Sequence, residues 1–154
     1  MRGDLIPSSD HLALHCPPRA FAGVEIDPTG VPVGITREAF QVDDDGISTN
    51  WIEFNGGNLA SACMMLACVL TVRRTHRVGV MNVGAAIDLG QATNRLLQAV
   101  HDPIEPPDTR PNPGHALLQG VAAGDDELLD FLAMLVQLKA FTPEAIAQSK
   151  ALFG

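Results

Sequence analysis

The sequence predicts a single small α+β domain, with short strands in the N-terminal half, a buried central helix and helices at the C-terminus. Three observations predict it. His11-Leu12-Ala13-Leu14-His15-Cys16 alternates polar and apolar residues, the period of a strand with one buried face. The longest apolar run occupies Leu59 to Val72, and leucines at helical spacing follow Asp125, which reads as helix in both places. At roughly 100 to 200 residues per domain, the 154 residues make one domain over 1–154, with a proline-rich loop at 102–114.

Each element has a local reason. Pro17-Pro18 stops the first strand, and Gly23, Pro28, Gly30, Pro32 and Gly34 limit Val24–Ile26 and Val31–Val33 to short extended pieces. Thr36 offers an N-cap to a turn over Arg37-Glu38-Ala39-Phe40. Asp43-Asp44-Asp45-Gly46 is a turn, and Ile47 to Phe54 after it admits an extended start and a helical end. Asn58 caps a helix from about Leu59 to Arg74, whose negative end suits Arg73 and Arg74. Because that helix is apolar all round, it is expected to be central, or covered by a partner chain.

Arg77 to Val83 reads as a strand and Gly84-Ala85-Ala86 as a small-residue turn, while Ala92 to Val100 fits either a helix or a strand. Pro103, Pro106, Pro107, Pro111 and Pro113 make Asp102 to Pro113 an extended loop. A second helix begins at Gly124 or Asp125, with Leu128, Leu129, Leu132, Leu135, Val136 and Leu138 on its apolar face. Thr142-Pro143-Glu144 starts a last helix, with proline at its first position.

Charge and composition exclude several classes. With 10 Lys and Arg against 18 Asp and Glu, the net charge of -8 opposes extended contact with nucleic acid phosphates or acidic membranes. No Tyr, one Trp and six Phe leave few platforms for stacking single-stranded bases. The charge is uneven: residues 1–55 carry -6, residues 56–101 carry +3, and residues 102–154 carry -5. The positive centre comes mainly from Arg73-Arg74-Thr75-His76-Arg77. Cys16, Cys63 and Cys68 form no CxxC and are expected to be reduced, those at 63 and 68 packed inertly in the central helix. The first residues lack the apolar stretch of a signal peptide. The 14-residue apolar run would rise about 21 Å, short of a roughly 30 Å hydrocarbon core. A cytoplasmic protein without membrane attachment is therefore expected.

The histidines bracketing the proline loop are the first candidate site. His101 and His115 could act as acid and base, with Asp102 orienting one ring, if the loop ends approach each other. Otherwise both serve loop carbonyls that prolines cannot reach. Arg73, Arg74, His76 and Arg77 are the second candidate, an anion site built on guanidinium forks. Their alternative role is to complement the preceding helix terminus. His11 and His15 would stand about 13 Å apart on one strand face, too far to share a metal; no metal ligand set and no cofactor is assigned. The acidic turn lacks the alternate spacing of a calcium loop, no GxSxG surrounds Ser48, Thr49 or Ser61, and no Gly-Lys-Ser/Thr follows Gly56-Gly57.

With no catalytic signature and two strongly apolar helices, the leading expectation is a non-catalytic interaction or accessory protein that docks to a protein partner or forms a homo-oligomer. The alternatives are a small phosphoester hydrolase using His101 and His115 with the arginine cluster, and a domain that binds a small anionic ligand.

Overall fold

The computed structural model describes residues 2–17, 23–105 and 110–154. An antiparallel sheet forms the middle layer, and it is built from β1 (His11–Cys16), β4 (Val42–Asp43), β5 (Gly46–Trp51), β6 (Arg77–Asn82), β7 (Gln98–His101), β8 (His115–Gln119) and β9 (Gln137–Ala140). The order is β7-β8-β5-β1-β6-β9, with β4 paired to β5, and β2 (Val24–Ile26) with β3 (Pro32–Ile35) forms a separate hairpin. Four helices pack around the sheet: α1 (Leu59–Val69), α2 (Val83–Ala92), α3 (Asp126–Leu135) and α4 (Pro143–Phe153). The fold is α+β, with strands opening the chain and helices toward its end; β7, β8 and β9 add strands to the second half.

The period of β1 divides the core in two. Leu12, Leu14 and Cys16 pack with Leu128 and Leu132 of α3 and Ala86 of α2 on one face of the sheet. Ala13 points the other way, to Ala62, Cys63 and Leu66 of α1 and Ala145 of α4. Leu12, Ile47, Leu66, Met81, Leu118, Leu128 and Leu132 are fully buried, and each such side chain contributes about 1.5–3 kcal/mol over an exposed one.

Three of the turns and caps follow the expected chemistry, whereas Thr36 does not cap the Arg37–Ala39 turn, because its hydroxyl donates to the Glu38 carboxylate. Gly46 closes the acidic turn at φ +126°, and a Cβ there would lie 2.5 Å from the Leu118 carbonyl oxygen; only glycine fits both demands. The Asn58 side chain accepts from Ser61 N–H and that of Thr142 from Ala145 N–H, capping α1 and α4. Ile47 to Phe54 resolves into β5 followed by a 3₁₀ turn at Glu53–Asn55.

Three boundaries differ from the expectation. Gly84-Ala85-Ala86 is the first turn of α2, because Asn82 accepts from Ala85 N–H and caps a helix there. Its small residues permit close approach: a Cβ on Gly84 would stand 2.9 Å from the Ser8 carbonyl oxygen. The helix expected to reach Arg74 ends at Val69, where Leu70 turns extended. Ser149 of α4 holds it there, its hydroxyl accepting from Val72 N–H at 2.9 Å and donating to the Leu70 carbonyl at 3.3 Å. Finally, α3 stops at Leu135, and Leu138 belongs to β9, which pairs with β6; sheet pairing overrides the helical spacing.

The burial of α1 is one-sided. Ala62, Cys63, Leu66 and Ala67 are buried, whereas Ala60 and Cys68 are exposed. Residues 3–6 run along the β7 edge, where Gly3 N–H donates to the His101 carbonyl and His101 N–H to that of Asp4, covering an edge that would otherwise invite pairing. Among the described residues, no helix is long and apolar enough to cross a membrane. The proline-rich loop is pinned at both ends by the Ile104–Asn112 bridge, and its Pro106 and Pro107, like Pro18 after the first strand, lie outside the described residues.

Candidate functional site

A cleft of about 570 Å³ opens beside α1 on the Ala13 face of the sheet. It is lined by His15 of β1, Ser48 and Asn50 of β5, His115 of β8, Leu66 and Val69 of α1, and Ile104, Arg110 and Asn112 of the proline-rich loop. Register explains why these meet. Ala13 pairs with Asn50, and Asn50 with His115, so their side chains share one face. Asn112 joins them because it begins the turn that enters β8, with His115 N–H donating to the Asn112 carbonyl at 3.2 Å.

Asn50 and Asn112 are 5% and 4% exposed, and the Oδ1 of each has no hydrogen-bond partner. Buried polar atoms are ordinarily paired, so two orphaned acceptors in one cleft need an explanation. His115 is held firmly: its Nδ1 lies 2.9 Å from the Asp102 carbonyl oxygen and 3.3 Å from Asp102 Oδ2. A carbonyl only accepts, so Nδ1 carries the proton and the lone pair of the neutral ring sits on Nε2. Arg2 in turn bonds the Asp102 carboxylate and the Pro103 carbonyl.

The charges around the cleft are mixed. Arg110 stacks its guanidinium 4.2 Å from the centre of the Phe153 ring, while Glu38 and Asp43 also line the space. The Thr36 hydroxyl, followed by backbone N–H and Arg37, holds the Glu38 carboxyl below its ordinary range, so that it stays ionised.

The structure separates the histidines that bracket the proline loop. His101 pairs across from Ala116, one residue beyond His115, so the two rings lie on opposite faces of the sheet. His101 is buried against Trp51 and Phe54, at ring separations of 5.3 and 4.8 Å, and its Nε2 donates to the Pro113 carbonyl at 2.6 Å. Acid and base roles shared between His101 and His115 are therefore not assembled; Asp102 does orient a ring, that of His115.

The basic cluster does not converge on the cleft either. Arg73 and Arg74 are exposed, and Arg77 Nη1 donates to the Arg74 and His76 carbonyls at 2.9 Å each, closing the turn before β6. His76 Nδ1 meets His15 Nε2 at 2.8 Å, so it reaches the cleft only through His15. His11 Nδ1 pairs with Glu53 Oε2 at 2.8 Å while Oε1 accepts from His11 N–H at 2.7 Å. Among the described residues, no three His, Cys, Asp or Glu side chains cluster as a metal-binding set. Cys68, expected to pack inertly, is exposed, because it falls on the open flank of α1.

Sequence reasoning missed Asn50, Asn112 and Arg110. One signal was present: asparagine is depleted in strands, and Asn50 sits in an extended stretch where alternation would accept an apolar residue. The chain matches no protein-family model, and neither a curated protein nor a solved structure is significantly similar to it.

Proposed function

We propose that this protein binds a compact, singly charged molecule bearing a hydrogen-bond donor, of the hydroxy-acid class, in the cleft between α1 and the proline-rich loop. The unpartnered Oδ1 atoms of Asn50 and Asn112 carry this reading. An unsatisfied buried acceptor costs about 1–3 kcal/mol, and a hydroxyl on a bound molecule would satisfy it. Arg110 provides a guanidinium for the carboxylate. Glu38 and Asp43 repel a second negative charge, which disfavours a phosphate dianion. The volume of about 570 Å³ falls in the range of small-molecule sites. Calorimetric titration with glycolate, glycerol and acetate separates the two contributions. Glycolate is expected to bind most tightly, and Asn50→Leu to weaken it at least tenfold; equal binding of all three, or none, contradicts the proposal.

A second reading, docking to a protein partner or self-association, draws on the open flank of α1. There Ala60, Met64, Met65 and Cys68 edge a shallow groove of about 520 Å³ beside Thr142 and Glu144. Light scattering and pull-down test it: a dimer that Met64→Lys dissociates supports self-association, and a protein that is monomeric at every concentration and captures no partner contradicts the reading.

A further inference from the structure

We infer that the cleft also performs chemistry: His115, positioned by Asp102, activates a water held by one of the two unpartnered carboxamides, Asn50 or Asn112, for hydrolysis of a carboxylic ester, the other carboxamide remaining for the bound molecule. This rests on the binding reading above, because the ester must be seated in the same cleft.

Four observations carry it. The Asp102 carbonyl fixes the proton of His115 on Nδ1 at 2.9 Å, leaving Nε2 as the basic atom. The His115 side chain is 12% exposed and lines the cleft, and among the described residues Nε2 has no hydrogen-bond partner. Asn50 stands across the strand pair from His115, and Asn112 begins the turn that ends at His115. The side chains that carry the orphaned Oδ1 atoms line the same cleft as the imidazole. A water there donates one hydrogen to Nε2 and the other to a carboxamide oxygen, which aims an oxygen lone pair at a bound electrophile.

The surroundings select the electrophile. Leu66, Val69 and Ile104 offer apolar contact to an acyl group, while Glu38 and Asp43 disfavour a phosphate. As the water oxygen bonds to the acyl carbon, its proton passes to Nε2. When the tetrahedral intermediate collapses, the carbon–alkoxide bond breaks and the imidazolium returns that proton to the leaving alkoxide. One ester and one water become one carboxylic acid and one alcohol, with no oxidant or further reactant. His115 is the catalytic residue and Asp102 a positioning residue.

The test uses the full chain with p-nitrophenyl acetate and p-nitrophenyl phosphate, beside calorimetric binding of glycolate. Wild-type protein is expected to cleave the acetate, not the phosphate, about 100-fold faster than free imidazole at equal concentration. His115→Gln, which keeps a donor for the Asp102 carbonyl, is expected to lose that gain while still binding glycolate. His115→Ala should recover part of it when imidazole is added. Asp102→Asn retains the carbonyl contact that fixes the tautomer and removes only the carboxylate 3.3 Å from Nδ1; it should lower kcat with little change in KM, while ¹⁵N spectra still report the Nδ1–H tautomer of His115. Cleavage no faster than imidazole, cleavage unaffected by His115→Gln, or preference for the phosphate overturns the inference. Protein that binds glycolate but cleaves no ester overturns this chemistry and leaves the binding reading standing; protein that does neither overturns both.

Discussion

Asn50 stands directly opposite His115 across the β5–β8 pairing, yet its carboxamide oxygen is buried and accepts no hydrogen bond. A strand position facing Ala13 on one side and an imidazole on the other would suit leucine or valine in a purely structural sheet. Retaining an unpaired acceptor there destabilises the fold, and the proposed function gives that destabilisation a use.

Asn50→Leu should therefore stabilise the protein while weakening glycolate binding at least tenfold. Relief of about 1 kcal/mol corresponds to a Tm rise of about 2–4 °C in a chain of this size. Asn112→Leu should act in the same direction. Scanning calorimetry with and without glycolate checks both effects, and a loss of stability in both variants would mean that the carboxamides support the fold.

Ser149 is the latch that ends α1. The residue is 1% exposed, and its hydroxyl joins Val72 N–H to the Leu70 carbonyl. Ser149→Ala leaves that buried N–H without a partner, at a cost of about 1–3 kcal/mol. Urea unfolding should show the loss, and hydrogen exchange should accelerate at Val72 before it does in β1.

The Asp125–Arg95 pair gives a pH dependence of known sign. The Arg95 guanidinium, reinforced by Leu128 N–H, holds the Asp125 carboxyl below its ordinary value of 3.8. A depressed carboxylate contributes stability above that ordinary value, and the contribution is lost as pH falls through the depressed one. Asp125→Asn should destabilise the protein at neutral pH, and its difference from wild type should shrink as the pH drops below about 4. Urea unfolding across a pH series checks this.

The thiols should report the one-sided burial of α1. Desolvation pushes the Cys16 thiol up to about 11 and raises that of Cys63, so neither supplies much thiolate near neutral pH. Cys68 is exposed. Native protein treated with iodoacetamide at pH 7.5 should take up label at Cys68 alone, and denatured protein at all three cysteines, as read by mass spectrometry.

Much of the fold was legible because local chemistry decided it. Asn58, Thr142 and the Asp43–Gly46 turn act through neighbours a few residues away, and the pattern in His11–Cys16 marked a strand, although both of its faces are buried and not only the one expected, because α1 and α4 cover Ala13. What escaped depended on distant partners. Ser149 ends α1 from 79 residues away, and β6 recruits Gln137–Ala140 into the sheet although their spacing continues a helix. The candidate site divides in the same way. Asp102 and His115 were identified from the loop that holds them, but a register in which His101 faces away cannot be read from residue spacing. Asn50 acquires meaning only once β8 is paired beside it.

In the proposed function, Asn50 and Asn112 complete a ligand site. Its most direct test is a glycolate titration followed through the side-chain amide resonances of the two asparagines and the ring of His115. Saturable shifts are expected, concentrated on these three residues and absent in Asn50→Leu. Resonances that stay unmoved at saturating glycolate, or shifts spread evenly over the surface, would contradict it.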